Sequence, residues 1–318
     1  MKAKQEGLLR LAQRRSAQLG TLSSEAFDEL MLAVKKDPDT FVTTDADRAF
    51  LALGAALANN EQARMGEEFL DDTSYERART RRLARLAEKC RAALEIDPAC
   101  LDAKTIEAMV THRDSGEALE ALLALEEELG SPEPTSFSWD NALCRPHLRL
   151  KGAIVRALLE TTRFRAAIAA CEELVALEPS DPLGARYTWA LACARLEDEA
   201  AFNELDARFG RAGNAWSHIA RTLLMFKLNR WSAACRALRG YASLCEGGAY
   251  ALMRPIYIEG YLPDRPAFTP GTFEEAALAV HEADPVVADT PDFIAWVSTQ
   301  EDFMADAKRF AAKNDLEW

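Results

Sequence analysis

The chain has 318 residues, 49% of them hydrophobic, and a formal net charge of −13. That length buries a substantial core, while the acidity disfavours general affinity for nucleic acid or an anionic membrane and leaves room for a local basic patch. No apolar run approaches the ~18 residues of a membrane-crossing helix, and MKAKQEGLLRLAQRR is charged on both sides of Leu8 and Leu9, so neither a span nor an export signal is expected and the cytoplasm is the expected location.

In chain order, Glu6 to Leu19 and Glu25 to Lys36 read as two amphipathic helices, ended by Gly20 and by Asp37-Pro38, and Asp45 to Ala58 makes a third. Thr73, with Glu76 three residues on, has the pattern of a capping box opening a helix that runs to Ile96. Asp97-Pro98 stops it, Cys100 to His112 follows, and Asp114 with Glu117 is a second capping pair for a helix ending near Leu129. The stretch Gly130 to Asn141 carries breakers but also Phe137 and Trp139, which predicts a packed loop. Helices resume at about Ala142, with turns near Thr161, Pro179, Leu196, Gly213 and Asn229, and continue to about Leu244. Beyond Gly247-Gly248, prolines 255, 263, 266 and 270 predict an extended segment. Thr272 with Glu275 then restarts helix, Thr290-Pro291 reads as a further start, and the last helix aligns Phe303, Ala307, Phe310 and Ala311.

The helices repeat. FRAAIAACEELVALEP places Phe164, Ala167, Ile168, Cys171, Leu174, Val175 and Leu177 on one face before Pro179. CRAALEIDP repeats its ending at Cys90 to Pro98, and WSAACRAL repeats its opening at Trp231 to Leu238. Phe164 and Trp231 lie 67 residues apart, close to two periods of the roughly 34-residue tetratricopeptide unit. Pro98 and Pro179 are 81 apart and out of phase, so the array is interrupted, with the loop from Gly130 as the expected cause. The fold predicted is all-α, a tetratricopeptide-like right-handed superhelix of antiparallel helix pairs. Residues 1–72 supply N-terminal helices, 73–248 the repeats, and 249–318 the proline-rich segment and capping helices, since arrays need terminal pieces over their last apolar surface.

LEPSDPLGARYTWALACARLEDEAAF resembles the tetratricopeptide stretch of a group of bacterial repeat proteins. That group shares the Arg-Pro-x-x-Arg of Arg145, Pro146 and Arg149, and the Pro-Gly-x-x-Glu-x-Ala of Pro270, Gly271, Glu274 and Ala276. From about Arg77 to Val297 the chain is also similar to the repeat region of the animal suppression-of-tumorigenicity-seven family, whose membrane segments it lacks. The resemblance implies a scaffold and brings no catalytic residue.

Seven cysteines form no paired framework, and Cys90, Cys171, Cys193 and Cys235 fall on apolar faces, which favours a reducing compartment. The histidines, His112, His147, His218 and His281, have no metal-ligand spacing, no phosphate-binding glycine loop is present, and no catalytic constellation is legible, so neither metal nor cofactor is expected.

Two sets of cations remain. YERARTRRLARLAEKCR, Tyr75 to Arg91, holds seven basic residues against two acidic ones. Arg77, Arg81 and Arg85 recur every four residues opposite Leu83, Leu86, Ala87 and Cys90, a stripe suited to phosphates or carboxylates. The competing reading is a solvated face paired with Glu126 to Glu128, and no aromatic interleaves it for stacking on single-stranded nucleic acid. If Leu150 to Leu159, Leu183 to Arg195 and Ser217 to Leu228 are the first helices of successive pairs, they line a concave groove. Arg149, Arg156, Arg186 and Lys227 then face an acidic peptide or a C-terminal carboxylate. The carboxylate-clamp pattern needs asparagines where Gly152 and Ala190 stand, and structural roles for the arginines weigh against ligand roles. Tyr187, Trp189, Trp216, Phe226 and Trp231 recur with the pairs and are expected mostly in the core. The expected function is non-catalytic binding of a protein or peptide, nucleic acid and membrane being disfavoured. The alternative is an enzyme or nucleic-acid factor with a site built from dispersed residues.

Overall fold

A computed structural model describes residues 3–67, 69–112, 114–130, 137–259 and 261–318. Every regular element among them is helical and none is a strand. The chain divides into two compact units. The first comprises Met1–Ala157, Leu177–Leu183 and Leu262–Arg265, and the second comprises Leu158–Ala176, Gly184–Tyr261 and Pro266–Trp318. Within the first unit the N-terminal helices share one core with those that follow them.

In the first unit, α1 (Ala3–Leu19) packs on α2 (Ser24–Lys36) and on α3 (Asp45–Met65); α3 packs on α4 (Asp72–Ile96), α4 on α5 (Leu101–Thr111), and α5 on α6 (Ser115–Leu129). Leu53, Leu86, Cys90 and Ile106 are buried together in the core of α3, α4 and α5, with Leu262 packed against them. A smaller cluster of Leu11, Ala12 and Val34 seats α2 on α1. Gly7 lets α1 approach α3 closely, since a Cβ there would lie 2.9 Å from the Leu51 side chain. α7 (Arg145–Glu160) begins in this unit.

The expected caps hold in part. Asp114 caps α6, accepting from the amides of Gly116 and Glu117. Thr73 does not cap α4: the helix starts earlier, and Asp71 accepts from the Ser74 amide at 3.1 Å. An aspartate at that position offers a carboxylate to the positive helix end, which a threonine inside the first turn does not. Of the packed loop predicted for Gly130 to Asn141, Ser131 to Ser136 lie outside the described residues. The remainder is tied down. The side-chain amide of Gln13 donates to Asp140 O at 2.7 Å and its carbonyl accepts from Ala142 N at 2.8 Å, while Trp139 N donates to Glu178.

The second unit contains most of α8 (Phe164–Leu177), then α9 (Ala185–Arg195), α10 (Glu199–Arg208), α11 (Ala215–Lys227), α12 (Trp231–Leu244), α13 (Gly248–Met253), α14 (Phe273–Ala288), α15 (Phe293–Ser298) and α16 (Glu301–Lys313). α9 packs on α10 and on α11, and α11 on α12. The segment after α13 is non-helical, as its prolines require. The short helix α13 was not anticipated, because Gly247-Gly248 reads as a breaker. Gly247 is instead the left-handed turn before the helix, at φ +73°, where a Cβ would meet the rings of Phe310 and Phe273.

Two further expected caps are corrected. No side-chain bond from Thr272 caps α14, and Glu275 turns away to accept from Ala215 N at 2.8 Å and Gly271 N at 2.7 Å. Thr290 donates back to Val286 O at 2.7 Å, closing α14 instead of opening α15. In α16, Phe303, Ala307 and Ala311 are buried and Phe310 half-buried, as their spacing predicts.

Candidate functional site

Arg149 of α7 is 1% exposed and lies at the centre of a charged network inside the first unit. Its Nη1 donates to Glu6 Oε1 at 2.7 Å, and its Nη2 donates to Glu6 Oε2 at 2.6 Å. Its Nε and Nη2 donate to the two oxygens of Asp264 at 2.7 and 3.1 Å, and Asp102 Oδ1 stands 3.4 Å from Nη1. Arg10, one helical turn after Glu6, donates its Nη2 to both Glu6 and Asp102 at 2.6 Å, with its guanidinium carbon 3.6 Å from the Phe50 ring centre. Arg145 donates to Glu6 Oε2 at 3.0 Å and to Trp139 O at 2.7 Å. Three arginines and three carboxylates thus balance in charge and share hydrogen bonds, the condition for keeping such groups out of water.

The electrostatics follow from this geometry. Burial alone would raise the Glu6 carboxyl, but hydrogen bonds and charge from Arg149, with Arg10 and Arg145, outweigh it and bring the pKa to about 2. Burial presses the Arg149 guanidinium the other way, and Glu6, Asp102 and Asp264 hold it above its ordinary value. Beside the network is a cavity of about 300 Å³ among α1, α3, the α4–α5 turn and the start of α7, lined by Arg10, Arg14, Asp47, Phe50, Asp97 and His147, among others. Burial lowers the pKa of His147. Asp47 is already taken, by Arg14 at 2.8 Å and by the Thr44 amide at 3.0 Å.

Of the four cations expected in a groove, Arg149 and Arg156 belong to the first unit and Arg186 and Lys227 to the second. Arg149 is internal, its guanidinium shared among three carboxylates, which is the structural role weighed against a ligand role for these arginines. Arg156, half-buried in the first unit, donates to Pro263 O. Arg186, in the second unit, lies over the rings of Tyr187 and Phe209 at 4.9 and 5.0 Å. Lys227 pairs with Glu197 at 3.3 Å.

α14 packs across both α9 and α11, the helices expected to line that groove in the second unit. Trp216 of α11 is buried, stacked on Tyr187 at 4.2 Å, and its Nε1 donates to Glu282 of α14 at 2.7 Å. Tyr261 donates to the other oxygen of Glu282. α9 is buried nearly all round, which is why its sequence shows no single apolar stripe. Of the recurrent aromatics, Trp189 and Trp216 are core, Tyr187 and Phe226 half-buried, and Trp231 is 47% exposed.

On α4, Arg77, Arg81 and Arg85 are all exposed, opposite buried Leu86, Ala87 and Cys90 and half-buried Leu83. Of the glutamates expected to pair with them, Glu126 pairs with Lys151 and Glu128 with Lys104, each at 2.7 Å. Arg82 is the buried arginine of this run, donating to Glu67 at 3.0 Å and to Asn60 at 3.2 Å. Its position four residues before Leu86 and eight before Cys90 was the available signal. Among the described residues, no group of three or more His, Cys, Asp or Glu is placed to hold a metal, and no helix is long and apolar enough to cross a membrane. Comparison with protein families, with curated proteins and with solved structures finds no match.

Proposed function

We propose that the chain is a non-catalytic helical-repeat scaffold that binds a protein or peptide. On this reading α9–α10 and α11–α12 are tetratricopeptide-like pairs, steps of a right-handed superhelix of the kind found in the repeat region of the suppression-of-tumorigenicity-seven family, working in the cytoplasm. The observation that supports it most is the seat of α14. A helix lies along the first helices of two successive pairs, its Glu282 received by the Trp216 indole and its Glu275 by the Ala215 amide. That is the face on which helical repeats hold their partners, here occupied by the chain's own helix. α14 closes that face as a cap, so a partner in trans is met on exposed surface elsewhere.

Affinity purification from the native cell, followed by mass spectrometry and a nucleic-acid stain, tests this. The expected result is a protein retained in fixed ratio through nuclease treatment. Nuclease-sensitive retention of nucleic acid alone, or turnover of a small molecule by the purified chain, would replace the scaffold with the alternative of an enzyme or nucleic-acid factor.

A further inference from the structure

We infer that the outer face of α4 is a docking surface for an acidic helix of a protein partner. The inference goes beyond the scaffold reading by naming a surface and the chemistry it takes. Arg77, Arg81, Arg85 and Lys89 follow one another at four-residue intervals, and all four are exposed. Among the described residues none of them has an ion pair, whereas the other arginines of the run do: Arg79 with Glu76, Arg82 with Glu67 and Arg91 with Glu107. Among the described residues the one polar contact of the row is internal, Arg81 Nε donating to Arg77 O at 3.2 Å. Of the two acidic residues in the run, Glu76 is engaged by Arg79 and Glu88 is exposed beside the row.

At about 1.5 Å per residue the four cations span about 18 Å, with about 6 Å between neighbours. A partner helix carrying Glu or Asp every fourth residue repeats with the same spacing, so each cation meets one carboxylate as the i±4 ridges of the two helices run together. Arginine forks receive carboxylates bidentately, which favours this pairing over a diffuse ion cloud. Charge decides against nucleic acid. The chain carries −13 overall, and a duplex presents one negative charge about every 1.7 Å of axis, so repulsion from the rest of the surface grows along a duplex and stays small for a short peptide. No aromatic residue stands within the row to stack on unpaired bases.

The test uses the full chain and a fluorescein-labelled, helix-forming peptide with Glu at positions i, i+4, i+8 and i+12, read by anisotropy at about 50 mM and 200 mM salt. Saturable binding that weakens with salt is expected. R77Q/R81Q/R85Q/K89Q should lose at least about tenfold in affinity, in line with four exposed ion pairs, while R236Q/R239Q, at exposed positions of α12, should bind as the wild type does. R77K/R81K/R85K keeps the charges and should lose less than the quadruple glutamine variant. All substituted side chains are exposed, and circular dichroism checks that each variant is folded. Absent binding, equal binding by the quadruple variant, or equal binding of a peptide of the same composition with its glutamates clustered would overturn the inference. So would tighter binding of a 20-base-pair duplex through the same four residues.

Discussion

Replacing Glu6 by Gln keeps the shape of the side chain and removes the charge on which Arg10, Arg145 and Arg149 converge. The Glu6 carboxyl titrates at about 2 in the folded chain against an ordinary value of 4.5. A difference of about 2.5 units corresponds to about 3 kcal/mol, within reach of the 3–5 kcal/mol that breaking a buried ion pair costs. Because the folded pKa is the lower one, this stabilisation is complete at neutral pH and is lost as pH falls from about 4.5 towards 2. By pH 3.5 a little under half of it should be gone in the wild type. E6Q has nothing to titrate at that position, so the stability gap between the two proteins should be about 3 kcal/mol at pH 7 and roughly half that at pH 3.5. Urea titrations read by hydrogen exchange in peptides from α1 and from the part of α7 up to Ala157 follow the first unit specifically. A gap below about 1 kcal/mol at pH 7, or one that does not narrow on acidification, would refute the assignment of Glu6 as the hub.

Burial raises the thiols of Cys90, Cys193 and Cys245 to about 12 and that of Cys100 to about 11, so at pH 8 a soluble disulfide reagent should modify half-buried Cys144 and Cys235 well before any of these, as peptide mass spectrometry will report. G247A should cost about 1 kcal/mol for its positive φ and a further 1–3 for driving a Cβ to 2.5 Å from the Phe310 ring, whereas G20A, at φ +94° with nothing within 4 Å, should cost only the first amount. Similar melting temperatures for the two variants would count against the packing described around Phe310. A chain ending at Gly248 loses α14 and uncovers Trp216 together with the apolar faces of α9 and α11, each large side chain worth roughly 1.5–3 kcal/mol, and should be insoluble. A soluble, cooperatively melting fragment with raised partner affinity would make α14 a removable lid.

Helix existence was legible because it is a local property: one apolar stripe every 3.6 residues, stopped at Asp37-Pro38, Asp97-Pro98 and Pro179, marks the elements to within a few residues. Caps were less legible. The Thr73, Thr272 and Thr290 patterns each meet a better competitor, Asp71 in the first case and, in the others, a distant amide or the preceding turn. The interior helix α14 even tolerates Pro285 within it, which punctuation alone would make a stop. Arg149 shows the limit most clearly. Its sequence neighbours fix only which helix it stands on, whereas its role is set by Glu6, Asp102 and Asp264, lying 143, 47 and 115 residues away. Periodicity carries no information about such partners. Within the network only Glu6 with Arg10 and Arg145 with Arg149 stand one helical turn apart in sequence.

The segment Leu262–Arg265 belongs to the first unit although its neighbours on both sides belong to the second. Synthesis runs from the N-terminal to the C-terminal side, so Glu6, Asp102 and Arg149 are all present once α7 has left the ribosome. Asp264 is translated 115 residues after Arg149, an interval of about 6 to 23 seconds at ordinary elongation rates. Through that interval one edge of the Arg149 guanidinium has no carboxylate to meet, and the α3–α5 core waits for Leu262. The unit that begins first is thus completed only when most of the other has been made, and a nascent chain stalled before residue 262 would display an uncapped arginine in place of a finished domain.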